Sequence, residues 1–226
     1  MANRPIFVVK NTKPYYEIIN TDFEYYSGFA LSQKQKSIKS FHEAFLSNNS
    51  NKKIIEISTK SLENIGIQLS AFNLLLKTPV GERHIENVFQ AGKVFENGGP
   101  YTDLLNVSPA EAKKDERLKM SGALISFDYF GERILLEPKD YFYNWIYSKA
   151  LYDSMEKFED IFEYDAFTDI EFNAKKSINC QAKTVAIFVG LERQGLLEQA
   201  RESKEQYLEI VYGNVCDEEC VQLSLL

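Results

Sequence analysis

Histidine is nearly absent from this chain, with His42 and His84 the only two in 226 residues. That scarcity argues against a His-based nucleophilic triad. Cysteine is as rare: Cys180, Cys216 and Cys220 are too few and too unevenly spaced for a disulfide framework. Cys216 and Cys220 have no His beside them, so the roughly four ligands of a zinc site are out of reach and no metal is signalled.

Long apolar runs are missing too. Nothing approaches the ~20 apolar residues of a membrane span, and the N-terminal MANRPIFVVKNTKP holds a run too short for a signal-peptide core. A cytoplasmic protein without membrane association is expected. Also absent are a GxGxxG opening a helix, a phosphate-binding Walker loop, GxSxG and HExxH. The net charge of −7 argues against a protein held on nucleic acid mainly by phosphate neutralisation. It leaves room for an enzyme that grips one modified nucleotide in a local basic pocket.

What remains is ordinary globular material, 44% hydrophobic and 26% charged, long enough to bury a substantial core. Aromatic residues reach 13%, nearly all Tyr and Phe, which fill cores and also wall nucleotide pockets. Helical signals dominate. Ser32 is placed to cap a helix carrying Ile38, Phe41 and Phe45, and Leu62, Ile65, Leu69, Phe72 and Leu76 have amphipathic spacing. Ser108-Pro109-Ala110-Glu111 is a capping box with Pro at the first helical position. Aromatic-rich Asp140 to Phe158 and apolar Ala182 to Leu197 read as helices, and Ser203 to Gln206 caps a last one ending near Tyr212. Strands are expected at Ile6–Val9 and Ile54–Ile57, with a hairpin of Leu124–Tyr129 and Arg133–Leu136 about Phe130-Gly131. The expected fold is mainly α with small β elements, bordering on α+β. Trp145 reads as core packing, favoured by its apolar helical window, or as a ring to stack on a base or adenine.

Three polar stretches are candidates for chemistry. In ENVFQAGKVFENGGPYTD (86–103), a helix from Ile85 to Phe95 places Glu86, Gln90 and Lys93 within about 60° of one another at about 100° per residue. Such a row is either a solvated face or an acid, an amide and an amine presented together. The following Asn97-Gly98-Gly99-Pro100-Tyr101 lets backbone approach a ligand, with unpaired amides able to meet phosphate. Ser32-Gln33-Lys34-Gln35-Lys36 at a helix start is either a diphosphate cradle or a solvent-exposed turn. The third stretch, Phe167 to Gln181, is an acid-then-base loop between apolar helices, a surface linker or a functional loop.

These stretches together resemble one family. Ile-Glu-Asn-Val-Phe-Gln-Ala-Gly-Lys (85–93) looks like the NADAR signature, SPAEAKKDERL (108–118) resembles the helix that follows it, and AFTDIEF through INCQA (166–182) resembles the later Asp-containing loop. GFALSQKQK (28–36), FENGGPYTDL (95–104) and FTDIEFNAKKSINCQA (167–182) resemble the branch paired with DarT-type DNA ADP-ribosyltransferases in toxin–antitoxin systems. Residues 22–211 carry the likeness within one domain spanning 1–226, and the SNNSNKK stretch and the tail 213–226 lie outside it. Two places depart from the general pattern: Asn87 stands where a His is usual, and Thr168-Asp169-Ile170-Glu171 replaces a Trp-Gly.

The resemblance implies an N-glycosidase that removes ADP-ribose from guanine in DNA and so undoes a cognate toxin, with no cofactor. It implies Glu86 as general acid/base, Lys36 and Lys93 as rival amines for a Schiff base with Lys34 less favoured, and Asp169 on the ribose hydroxyls. Ser32, Gln33 and Lys34, with Gln90, Asn97, Gly98, Gly99, Tyr101 and Asn179, would hold the ligand. Two rivals stand beside it: an antitoxin that neutralises its toxin by binding alone, and an N-glycosidase of a free ribosylamine nucleotide in riboflavin synthesis.

Overall fold

The computed structural model describes residues 1–213. The chain opens with a hairpin, β1 (Ala2–Val9) and β2 (Tyr16–Phe23), followed by α1 (Leu31–Leu46), β3 (Ile54–Glu56) and α2 (Asn64–Gln68). A second hairpin, β4 (Leu75–Thr78) and β5 (Gly81–His84), runs into α3 (Ile85–Ala91) and β6 (Lys93–Phe95). A 3-10 turn at Thr102–Asn106 precedes α4 (Pro109–Lys114), α5 (Arg117–Met120), β7 (Leu124–Tyr129) and β8 (Glu132–Ile134). The rest is α6 (Tyr141–Asp153), two 3-10 turns, β9 (Ala166–Thr168), α7 (Gln181–Arg193), α8 (Leu197–Glu202) and α9 (Lys204–Tyr212).

The four-stranded sheet has the order β2-β1-β9-β3. β9 runs antiparallel to β1 and parallel to β3, pairing Ile54 with Ala166 and Glu56 with Thr168. Alternation along β1 explains the layers, because successive side chains point to opposite faces. Ile6 and Val8 pack with Phe23 against Ile38, Phe41 and Phe45 of α1, while Phe7 turns to the main core of α6 and α7. The rings of Phe23 and Phe41 stack with centroids 4.4 Å apart. α6 is apolar nearly all round because neighbours cover it, and Thr184 Oγ1 on α7 donates to Asn144 Oδ1 on α6 at 2.6 Å. Trp145 packs on Tyr129 and Phe142 at the edge of that core.

Helix outweighs strand, as the apolar spacing and capping signals suggested, but several boundaries move. α1 starts at Leu31 behind an extended Ala30, whose carbonyl accepts from Gln33 and Lys34, so Ser32 lies inside the first turn and caps nothing. The helix expected over Leu62–Leu76 shrinks to α2. Asn73 Nδ2 takes the Ile67 carbonyl at 2.8 Å, ending the helical ladder, and the chain enters β4. Leu69 and Leu76 share helical spacing only because a helix end and a strand bury into one core. α3 stops at Ala91 rather than Phe95: the next carbonyl, Gly92 O, accepts from Asp128 N of β7 at 2.7 Å, and a Cβ there would sit 2.6 Å from Asp128 O. Lys93 therefore belongs to a strand. α6 ends at Asp153 and α7 at Arg193, short of the expected Phe158 and Leu197. The capping box at Ser108 and the Ser203 cap, accepting from Gln206 N, are present. Strands β2, β4, β5, β6 and β9 went unread.

Phe41→Ala should destabilise the protein by about 3–5 kcal/mol, the usual loss for a fully buried Phe, whereas Lys36→Ala on the exposed face of α1 should stay within about 0.5 kcal/mol. Urea titrations of both variants measure the contrast.

Candidate active site

The floor of the site is α3. Glu86 and Gln90 are one turn apart on the same face, and Gln90 Nε2 donates to Glu86 Oε1 at 2.8 Å. Both are buried, 4% and 6% exposed, so the polar row is no solvated surface. Asn87 points elsewhere: its Nδ2 donates to Leu104 O at 2.6 Å and Val107 O at 2.8 Å, clamping α3 to the 3-10 turn. Lys93 enters the same space from β6, with Nζ 4.8 Å from the centre of the Phe89 ring. Burial pushes its ammonium down to about 8, Glu86 resists that shift, and Lys113 adds to it. Lys113, from α4, holds Nζ 3.8 Å from Glu86 Oε1 and 5.1 Å above the ring of Phe72.

These groups open into a cleft of about 640 Å³. Phe89, Phe127 and Tyr143 give it an aromatic floor, Leu136 and Glu137 one wall, and the loop from Ala174 to Asn179 the other. Five lysines line it (Lys93, Lys113, Lys139, Lys175 and Lys176) against two glutamates, Glu86 and Glu137, in a chain whose net charge is −7. Among the described residues, the buried Gln90 Oε1 and Asn179 Oδ1 have no hydrogen-bond partner. Unpaired acceptors of this kind carry a desolvation cost that a ligand hydroxyl or amine would relieve.

The 174–179 wall is suspended from α7. Lys183 Nζ donates to Ile178 O at 3.2 Å and pairs with Asp140 Oδ2 at 2.5 Å. Asp140 also accepts from Asn144 Nδ2 at 2.9 Å and Tyr212 Oη at 3.2 Å.

Asp169 leaves the end of β9 behind the floor. Its Oδ2 accepts from Gln181 Nε2 at 3.0 Å and its Oδ1 from Glu171 N at 3.0 Å, while Gln181 Oε1 accepts from Ala71 N at 2.9 Å. Gln181 thus ties the Asp169 loop to the chain leading into α3, whose Glu86 N donates to Ala71 O. Burial, then the charge of Glu56, raises the Asp169 carboxyl from its ordinary 3.8 to about 8, and Lys113 pulls the other way. Glu56 is itself buried and raised, and it accepts from Ser58 Oγ (2.6 Å), Thr168 Oγ1 (2.6 Å) and Ile170 N (2.8 Å). With the Thr168 proton directed to Glu56, His42 Nε2 is the donor in its 2.9 Å contact with Thr168 Oγ1. Burial lowers His42 to about 4, so it stands neutral at pH 7.

Of the residues marked by sequence, the fold brings Glu86, Gln90, Lys93 and Asn179 to the cleft. Asp169 lies close enough for its charge to reach Tyr143. Ser32, Gln33 and Lys34 form the first turn of α1, where Lys34 Nζ pairs with Glu171 at 3.0 Å and donates to Tyr25 Oη at 3.0 Å. That pairing sets α1 beside the Asp169 loop, but none of the three lines the cleft. Lys36 faces solvent. Asn97, Gly98, Gly99 and Tyr101 also stand outside the cleft. The expectation of unpaired amides there is corrected for three of them: Asn97 N donates to Ser121 O, Gly98 N to Phe95 O and Tyr101 N to Ala91 O, because the turn closes against its own sheet, and Gly99 N alone has no acceptor among the described residues. The Tyr101 hydroxyl is bonded to Ser121 Oγ. Phe72, Lys113, Tyr143 and Gln181 escaped the sequence reading. Gln181 lies inside the INCQA stretch and Lys113 inside SPAEAKKDERL, but nothing in the latter separates Lys113 from its neighbour Lys114. Cys216 and Cys220 lie outside the described residues.

A carboxyl raised by folding brings stability that is full below its ordinary value and lost as pH rises through the folded one. For Asp169 the window is pH 3.8 to about 8. Asp169→Asn should therefore flatten the decline in Tm between pH 5 and 9 relative to wild type, checked by thermal unfolding at half-unit steps. An unchanged slope would mean that the carboxyl is ionised throughout.

Among the described residues no helix is long and apolar enough to cross a membrane. No curated protein matches the chain. The family model described as the DarT1-associated NADAR antitoxin matches residues 2–220, taking in every element of the cleft. The chain belongs to the DarT1-associated NADAR antitoxins.

Proposed function

We propose that the protein is an ADP-ribosyl glycohydrolase that removes ADP-ribose from guanine in DNA, and that this reaction is its antitoxin activity. The observation that carries the reading is the buried Glu86 beside Lys93, an amine lowered to about 8, in a lysine-lined cleft. A carboxylate and a partly neutral amine suit a glycosylamine, and the surrounding lysines suit a diphosphate. The unpaired Gln90 Oε1 and Asn179 Oδ1 suit ribose hydroxyls or a base amine.

The placement favours Lys93 over the solvent-facing Lys36 as the amine. As the ribose ring opens, Glu86 gives its proton to the ring oxygen and C1 becomes a protonated imine to the guanine nitrogen. The Lys93 Nζ lone pair adds to C1. Glu86 accepts the proton released from Nζ and passes it to guanine, which leaves as the C1–N bond breaks and a lysine Schiff base forms. Water adds to that carbon, giving its proton to Glu86, and the C1–Nζ bond breaks to return lysine and the sugar aldehyde. Ring closure yields ADP-ribose, for a net consumption of one water. Asp169, protonated below about pH 8, would orient the ribose from behind the floor.

The test is an oligonucleotide bearing ADP-ribosylated guanine, followed by mass. Wild type should restore the plain oligonucleotide, and Glu86→Gln should lower kcat by about 10²–10⁴-fold, the usual share of a general acid/base, with an unchanged circular dichroism spectrum. A folded Glu86→Gln protein with wild-type turnover removes Glu86 from the mechanism. Borohydride should trap a covalent adduct with wild type and none with Lys93→Met. A turnover-dead Glu86→Gln protein that still protects cells would instead favour neutralisation by binding.

A further inference from the structure

Helix α6 carries four tyrosines, and three of them have bonded hydroxyls. Tyr141 Oη donates to Lys204 O at 2.8 Å, Tyr147 Oη to Leu69 O and Tyr152 Oη to Glu198 Oε1. Tyr143 is the exception. It is 6% exposed and lines the cleft, and its hydroxyl has no hydrogen-bond partner among the described residues. A buried polar group is ordinarily satisfied, and phenylalanine would fill the same space without an unmet hydroxyl. The ring is held in place by its neighbours: it meets Phe89 edge to face, centroids 5.1 Å apart at 85°, and lies 5.7 Å from Tyr147.

That hydroxyl belongs to the reacting end of the cleft. The Phe89 ring that Tyr143 touches is the one beneath Lys93 Nζ, and the charges of Glu86 and Asp169 both reach the Tyr143 phenol. Burial, with Tyr147 and Glu86 behind it, pushes the phenol well above its ordinary 10, so at pH 7 it is a neutral donor. Two neutral acceptors line the same cleft without a donor among the described residues, Gln90 Oε1 on α3 and Asn179 Oδ1 on the facing wall. A phosphate does not match this set, because bare amide oxygens repel it. A hydroxyl does, since one oxygen both accepts from the phenol and donates to an amide. The rings around Tyr143 are engaged by the protein, with Lys93 over Phe89 and Phe127 stacked on Phe142 at 4.6 Å, which disfavours a flat base there.

We propose that the Tyr143 hydroxyl, with Gln90 and Asn179, binds a hydroxyl of the ribose whose C1–N bond is cleaved, and so makes the cleft selective for a ribosyl over a deoxyribosyl group; this rests on the hydrolase reading above. Tyr143 is then a specificity residue of the floor, and the remaining lysines of the cleft serve the diphosphate. A site built to hydrogen-bond a hydroxyl rejects the analogue lacking it far more strongly than an apolar pocket rejects an added hydroxyl.

The experiment compares wild type with Tyr143→Phe, which removes one oxygen and leaves the ring. The variant should unfold at a Tm equal to or above that of wild type, because no protein hydrogen bond is lost. A lower Tm would reveal a protein partner for the hydroxyl and overturn the proposal. Calorimetric titration with ADP-ribose and with ADP then isolates the distal sugar. Tyr143→Phe should weaken ADP-ribose binding about tenfold, the upper range for one neutral hydrogen bond, and leave ADP binding unchanged. Equal affinity of both proteins for ADP-ribose overturns the proposal and assigns the hydroxyl to the base or to water. An equal loss for both ligands overturns it as well. Cleavage is followed on oligonucleotides whose guanine carries ADP-ribose, complete or lacking the 2- or the 3-hydroxyl of the distal ribose. Tyr143→Phe should lower kcat/KM on the complete substrate, and on one of the two deoxy substrates wild type and variant should be equal. A difference that persists at full size on both deoxy substrates overturns the proposal. Wild type that binds ADP-ribose with this dependence on Tyr143 yet cleaves no oligonucleotide removes the hydrolase reading and leaves the ribose site standing.

Discussion

Glu56 is a carboxyl placed where water does not reach, and the centre of the fold is arranged around it. Three donors converge on it, Thr168 Oγ1 from β9 and Ser58 Oγ and Ile170 N from the segments just past β3 and β9. An acceptor buried so deeply is tolerated only when its donors are in place. The parallel pairing of β3 with β9 is what puts them there, joining positions more than a hundred residues apart. Because Asp169 follows Thr168 directly, the same set of bonds fixes the backbone that carries it. Burial first, and the nearby Glu56 carboxyl second, raise the Asp169 carboxyl above its ordinary value, so the strand pairing that aims Asp169 also supplies the second of these causes.

A second arrangement of charge works in the opposite sense. The chain is acidic overall, yet the cleft gathers lysines from β6, α4, the approach to α6 and the 174–179 loop. A basic hollow in an acidic body concentrates its field at one place, drawing a small anion in without giving the whole surface an affinity for polyanions. Inside that hollow the lysines are not equivalent. Lys93 is buried away from water, and that burial eases the loss of its proton.

The sequence displayed the parts of the site that lie close together in the chain and concealed those assembled by the sheet. Glu86 and Gln90 were legible because both fall on one turn of helix, and the Ser108 box was legible because capping is local chemistry. Lys93 was recognised for the wrong geometric reason, since it reaches the cleft from a strand after Gly92 ends the helix. Strand β9 is three residues long and has no pattern of its own; it exists because β1 and β3 flank it. Phe72 and Lys113 meet only through tertiary packing. The Asn-Gly-Gly turn misled because glycine serves close packing against one's own backbone as readily as approach to a ligand, and here the amides of Asn97 and Gly98 are spent on the protein.

The suspension of the 174–179 loop from Lys183 separates two kinds of change. The floor of the cleft is woven into α3, β6 and the sheet, whereas the facing wall is attached by one ammonium bonded to the Ile178 carbonyl and anchored on Asp140. Residues 174–178 are exposed, so they can be lengthened, shortened or recoloured in charge without disturbing the packing beneath. The buried acid, amide and amine and the shape of the space above them therefore answer to different stretches of the gene. A lineage that keeps the floor can reshape the cleft by editing a handful of codons in the wall.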